Sequence, residues 1–99
     1  MLPVTWRLVV RAVAGTSGGL LHAAGGIASF LHGGDLCLIS DHINLQGTSP
    51  LIGANDDRLG LRWQDLYGCY SPDLLDRAEK AAADLGFKIP RGVYAAVTG

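Results

Sequence analysis

Four groups of residues have types and spacings that could do chemistry. The first is "HAAGGI", residues 22–27, an apolar run closing on two glycines. Small side chains let backbone N–H groups approach an anion, and successive N–H groups can form an anion-binding nest. A tight turn between packed elements is the commoner use of so short a motif. The segment is neither a P-loop nor a dinucleotide fingerprint, because the Lys-Ser/Thr pair and the second glycine spacing are missing. The second group is Asp41-His42, the residue types of an orienting carboxylate and a base. Neighbours on a strand point to opposite faces, so these two would pair only where the strand has ended. Side chains tying the following loop to the backbone is the simpler reading. The third group, Asn55, Asp56, Asp57 and Arg58, suits a polar hub or a solvated turn. The fourth is Trp63 and Tyr70, aromatics in a polar stretch. Exposed, they would mark an interface or a ligand lid; buried, they would anchor the loop to its own core. His22 and His32 have no carboxylate or cysteine at metal-ligand spacing, so no metal site is expected.

Local patterns predict the elements that must position these residues. Leu8, Val9, Ala12 and Val13 recur at helical spacing, which predicts a helix over residues 4–14. "GTSGG", residues 15–19, ends it. "LLHAAGGI", residues 20–27, reads as a strand running into a glycine turn. "DLCLISDHI", residues 35–43, is the clearest strand of the first half. Leu36, Leu38 and Ser40 face one way and Cys37 and Ile39 the other, so both faces should be covered. Residues 44–70 lack any regular period, and so long an irregular stretch is usually functional or an interface. A second helix follows. Ser71 suits the N-cap, Pro72 the first helical position and Asp73 the positive end of the dipole. Leu74, Leu75, Ala78, Ala81, Ala82 and Leu85 make an apolar stripe, Asp76 and Lys80 lie four apart on the wet face, and Gly86 suits the C-terminal cap. Residues 91–99 read as a last buried strand in which Tyr94 alternates with Val93. The order is that of an α/β fold.

The chain has 99 residues, of which 48% are hydrophobic, 14 are glycine and 17% are charged. That is the size of one domain, apolar and glycine-rich for its length. The formal net charge is -1, with no basic stripe interleaved with aromatics, so no nucleic-acid partner is expected. Arg7 and Arg11 break the apolar N-terminal run before it makes a signal-peptide core, and nothing is apolar for long enough to span a bilayer. The expected compartment is the cytoplasm, with no membrane partner. Cys37 and Cys69 stand in no metal or redox spacing and read as free buried thiols.

Over residues 21–99 the chain resembles the trimeric purine nucleoside phosphorylases. The segments that carry the likeness are "HAAGGI", "GDLCLISDHINLQGTSPLIGANDDRLGLRW", "YSPDLL" and "GVYAAVTG". The family has an Asn-Ala-Ala-Gly-Gly turn and then a Gly-Asp strand. A run close to Asp-His-Ile-Asn-Leu-x-Gly-x-Asn-Pro-Leu-x-Gly-Pro-Asn-Asp-Glu-Arg-Phe-Gly follows, and later Gly-Val-Tyr-x-x-x-x-Gly. The match is most specific over residues 34–60. The methylthioadenosine phosphorylases differ in this loop and rank second.

The resemblance implies a fragment of a mixed-sheet phosphorylase fold with flanking helices, and residues 1–99 as a single partial domain from the middle of a protomer. It implies reversible phosphorolysis of purine ribonucleosides to purine base and ribose 1-phosphate, through an oxocarbenium-like transition state. Purine nucleoside and phosphate would be the ligands. Inorganic phosphate would be the co-substrate, with no cofactor, and the whole protein would be a homotrimer. By the same likeness Ala23 matches the alanine whose backbone N–H binds phosphate. Ala24 and Gly25 match residues lining the sugar and base pocket, and Tyr94 a tyrosine near the base. Trp63 stands where the family has a phenylalanine reaching into a neighbouring subunit's sugar site. No residue matches a family catalytic side chain, so the isolated chain is expected to be inactive. A degenerate purine- or phosphate-binding module, or a self-association module, is the alternative. Three departures stand out: His22 for the family Asn, Ala54 for the Pro of Gly-Pro-Asn-Asp, and Leu61-Arg62-Trp63-Gln64 for a sequence nearer Pro-Arg-Phe-Pro.

Overall fold

In the computed structural model, which describes residues 6–13 and 18–99, the segment expected as a first helix is a strand, β1, Trp6–Val13. Trp6, Val9, Val10 and Val13 are aromatic or β-branched, types that suit a pleated surface and lose rotamer freedom in a helix. Pairing on both sides then decides against the helical spacing. β1 runs antiparallel to β2 (Gly18–Gly25), from Trp6↔Gly25 to Val13↔Gly18. It runs parallel to β3 (Leu36–Asn44), from Leu8↔Leu36 to Arg11↔Ile39. Residues 4, 5 and 14 of the expected helix, and 15–17 of its glycine-rich end, lie outside the described residues.

β4 (Arg91–Ala96) pairs parallel with β3 and completes a mixed sheet of order β2-β1-β3-β4. The α/β expectation holds, with a strand where the first helix was foreseen. β3 and β4 are joined through the long loop and α1, Pro72–Asp84. The pairing of β3 with β4 is interrupted once: Ile39 faces Gly92, and Asp41 faces Val93, leaving Ser40 as a β-bulge. The Ser40 hydroxyl donates to the Gly92 carbonyl at 3.2 Å and steadies that irregularity. A bulge re-phases the alternation of side chains. Ile39 and His42, three apart, therefore come to the same face.

The core is small. Leu38 and Ile39, neighbours on β3, are both buried, and they cluster with Tyr70 and Leu75. The centre of β3 is thus covered on both faces, as its two apolar sets require. α1 starts where its sequence says it should. Ser71 is extended (φ -63°, ψ 117°), its Oγ accepts from the Leu74 N–H at 3.4 Å, and Pro72 opens the helix. The buried stripe is narrower than expected: Leu75 and Ala82 are buried, Leu74 and Ala78 half-buried, Ala81 and Leu85 exposed. Asp76 does not serve Lys80. It reaches Arg91 at the start of β4 at 2.6 Å, and Glu79 takes the same guanidinium at 2.5 Å. Those two carboxylates, Glu79 foremost, hold the Arg91 pKa above its ordinary value. Lys80 pairs with Asp84 at 2.8 Å instead.

α1 ends in a paired C-cap. The Phe87 N–H donates to the Ala82 carbonyl at 3.1 Å and the Gly86 N–H to the Ala83 carbonyl at 3.0 Å. This double bond pattern requires a left-handed residue between helix and exit, and Gly86 has φ 88°. A side chain there strains the backbone. Gly86→Ala is expected to lower stability by about 1 kcal/mol, read from urea unfolding. An unchanged midpoint would show that the helix end relaxes without this cap.

Candidate functional site

The bulge and the register together build a cleft. On β4, Tyr94 and Ala96 lie two apart and share a face; their partners on β3 are His42 and Asn44. All four line one cavity of about 470 Å³, with Ile39 brought to the same side by the bulge. Gln46 and Pro50 from the long loop form its rim, Tyr70 comes from the entrance to α1, and His22 from β2. The volume lies in the range of small-molecule sites, roughly 300–1,000 Å³.

The cleft is concave because the sheet curls. β2 and β4 are the two outer strands, three strand spacings or about 14 Å apart in a flat sheet. Yet the His22 and Tyr94 rings meet edge to face, with centroids 5.3 Å apart and planes at 88°. His22 Nδ1 donates to the Ala23 carbonyl at 3.3 Å, which ties the ring to its own strand. Opposite, the Tyr70 hydroxyl lies 3.0 Å from His42 Nδ1, with ring centroids 5.7 Å apart. Tyr70 is only 7% exposed. It anchors the loop to the core, and the lid reading of Tyr70 is corrected.

Asp41 and His42 do not act as a side-chain pair. The Asp41 carboxylate is exposed and accepts the backbone N–H of His42 at 2.8 Å, while the His42 ring lines the cleft. Asn44 shapes the loop that follows. Its amide donates to the Thr48 carbonyl at 2.7 Å and its Oδ1 accepts from the Gln46 N–H at 3.0 Å. Among the described residues lining the cleft there is no carboxylate, lysine or arginine. The cleft offers two imidazoles, two phenols and side-chain amides. Such groups suit a flat polar heterocycle or a polyol, held by stacking and neutral hydrogen bonds.

The residues singled out in the sequence distribute unevenly. Tyr94 is in the wall. Ala24 packs against the same core cluster that Tyr94 touches. Ala23 is exposed and pairs with Leu8, and Gly25 is the last residue of β2. Trp63 lies outside the cleft on the long loop and is 70% exposed. Cys37 and Cys69 are free and half-buried, and burial pushes the Cys37 thiol up.

The long loop is organised by its own side chains. Arg58 holds Asp56 through two hydrogen bonds of 2.8 and 2.6 Å, which keeps that carboxyl below its ordinary range. Arg62 donates to the Gly53 carbonyl at 2.6 Å and sits 5.1 Å from the centroid of the Trp63 ring. Among the described residues no cluster of His, Cys, Asp or Glu could hold a metal ion, and no helix is long and apolar enough to cross a membrane.

Sequence reasoning did not find the His42–Tyr70 bond or the place of His22 in the wall. The two bonded residues are 28 positions apart, and the bulge that turns His42 inward has no signature in the residue types. The one available signal was the departure from the family Asn at residue 22.

The family model of the phosphorylase superfamily matches residues 15–99. Purine nucleoside phosphorylase 1 of Bacillus subtilis is 50% identical over 78 residues, which are 79% of this chain and 29% of that protein. Purine nucleoside phosphorylase 1 of Geobacillus stearothermophilus is 47% identical over 78 residues, 79% of this chain and 28% of the relative. Purine nucleoside phosphorylase of Anopheles gambiae is 39% identical over 83 residues, 79% of this chain and 24% of the relative. The chain spans less than a third of the length of these curated relatives.

Proposed function

This chain belongs to the phosphorylase superfamily, and from that premise we propose that it supplies one wall of the nucleoside site of a purine nucleoside phosphorylase. The observation that carries the reading is the concave cleft with Tyr94 in its wall, built by a segment half identical to a phosphorylase of Bacillus subtilis. In the proposed reaction a phosphate oxygen bonds to the anomeric carbon of a purine ribonucleoside. The carbon–nitrogen bond breaks and its electron pair leaves with the base, which takes up a proton. Ribose 1-phosphate is the other product. Tyr94 offers a face to the ligand, and Ala24 and Gly25 keep the neighbouring wall low enough for it to enter. The Ala23 N–H contributes to phosphate binding. Trp63 covers the site of a neighbouring subunit in a homotrimer. Inorganic phosphate is the co-substrate and no cofactor takes part. The setting is purine salvage in the cytoplasm.

The test is a chimera in which this chain's matched 78 residues replace those of the Bacillus subtilis enzyme. The expected result is phosphate-dependent release of hypoxanthine from inosine, with the 99-residue chain alone silent in the same assay. A folded, assembled chimera that binds nucleoside without turnover would overturn the enzymatic reading in favour of a binding module.

A further inference from the structure

The hydrogen bond between Tyr70 and His42 fixes one ring of the cleft. Tyr70 is buried and stands directly before Ser71, the N-cap of α1, so its hydroxyl is held by a rigid element. That hydroxyl meets His42 at Nδ1, 3.0 Å away. A neutral imidazole carries one proton, and the partner of one nitrogen sets what the other can do. With the phenol donating, Nδ1 accepts and the ring proton sits on Nε2. Nε2 has no hydrogen-bond partner among the described residues, although the ring lines the cleft. His42 is also the cross-strand neighbour of Tyr94, so the edge of a ligand lying on that wall passes beside it. Asp41 leaves the imidazole alone, since its carboxylate accepts the main-chain N–H of His42.

We propose that His42 is a specificity-determining residue of this cleft, held by the Tyr70 hydroxyl as the Nε2–H tautomer and donating that N–H to an acceptor atom of the bound nucleoside. The inference rests on the cleft being the nucleoside site. A fixed, half-buried donor discriminates because a ligand without an acceptor at that point leaves the N–H unpaired. Tyr70 is then a positioning residue, acting through the imidazole.

Two experiments test this. Nitrogen NMR of the 99-residue chain with labelled histidine reports the tautomer directly, at about pH 8.5 where an ordinary imidazole is neutral. The expected spectrum has His42 Nδ1 as an acceptor and Nε2 protonated, with Tyr70→Phe releasing the ring to a tautomer mixture. A proton on Nδ1 in the unmodified chain overturns the proposal, whatever the chimera does. In the chimera, His42→Phe is expected to lower kcat/KM for inosine about tenfold. His42→Gln, which keeps an N–H donor, should recover part of the loss, and Tyr70→Phe should cost about threefold, in KM and not in kcat. An active chimera indifferent to His42→Phe overturns the present inference and leaves the proposed function standing. An inactive parent chimera overturns the function, and the tautomer then decides the His42 assignment. Weaker binding of hypoxanthine alone to the variant places the acceptor on the base; an effect confined to inosine places it on the sugar.

Discussion

Leu38→Ala is expected to destabilise the fold by about 3 kcal/mol, the largest stability loss of any single truncation proposed for this chain. Leu38 is 0% exposed and is the one fully buried large side chain among the described residues. It sits in an inner strand, paired with Val10 on one side and Arg91 on the other, and its N–H donates to the Pro90 carbonyl at 2.8 Å. Those pairings hold the backbone in place, so the space vacated by the isobutyl group cannot collapse. The lost transfer energy and the cavity then add. Among the described residues, Ile39, Tyr70 and Leu75 are the other buried members of its cluster. Against an ordinary domain stability of about 5–15 kcal/mol, such a loss leaves little margin. Urea unfolding would measure it, with Leu74→Ala at a half-buried position of α1 expected to cost less than half as much. A loss below about 1 kcal/mol would mean that β3 shifts freely and is not the fixed centre of the sheet.

What the sequence made legible follows how local each determinant is. The start of α1 needs only Ser71, Pro72 and Asp73, and its end only Gly86; all four signals act within a turn, and both ends of the helix stand where those residues put them. β3 was legible from its composition, since a short apolar run covered on both faces has few other uses. β1 was not. Its apolar spacing fits a helix, and what makes it a strand is a pair of neighbours, one of them β3, more than twenty positions away. The same limit hid the site. His42 read as a loop tether, and Tyr70 as either a lid or an anchor of the loop, because nothing within a few residues of either announces the other. The bulge at Ser40 turns His42 to the Ile39 face, and it arises from register with β4, a long-range property. The family likeness of residues 22–27 and 34–60 rests on matching residues alone, since periodicity and composition give there a strand ending on glycines, a second strand and a coil.

Trp63→Ala is expected to lower kcat/KM of the assembled chimera by about 30-fold, equivalent to about 2 kcal/mol, while moving the stability of the 99-residue chain by less than about 0.5 kcal/mol. The split follows from where the indole stands. It is 70% exposed, so its truncation removes little from the chain's own core. It is nevertheless not left to wander. Arg62 bonds the Gly53 carbonyl across nine residues and lies over the indole, and the Arg58–Asp56 pair stiffens the turn between them. An aromatic presented on a loop that is already ordered loses little entropy on docking, which is the condition for a few residues to dominate an interface. Trp63→Phe should keep most of the activity, because a phenyl ring fills the same role with less area. A large stability loss with activity intact would place Trp63 in the chain's own packing and remove it from the neighbouring subunit's site. Unchanged activity together with unchanged stability would remove any role for the indole. The proposed lid requires activity to fall while the fold stays as it is.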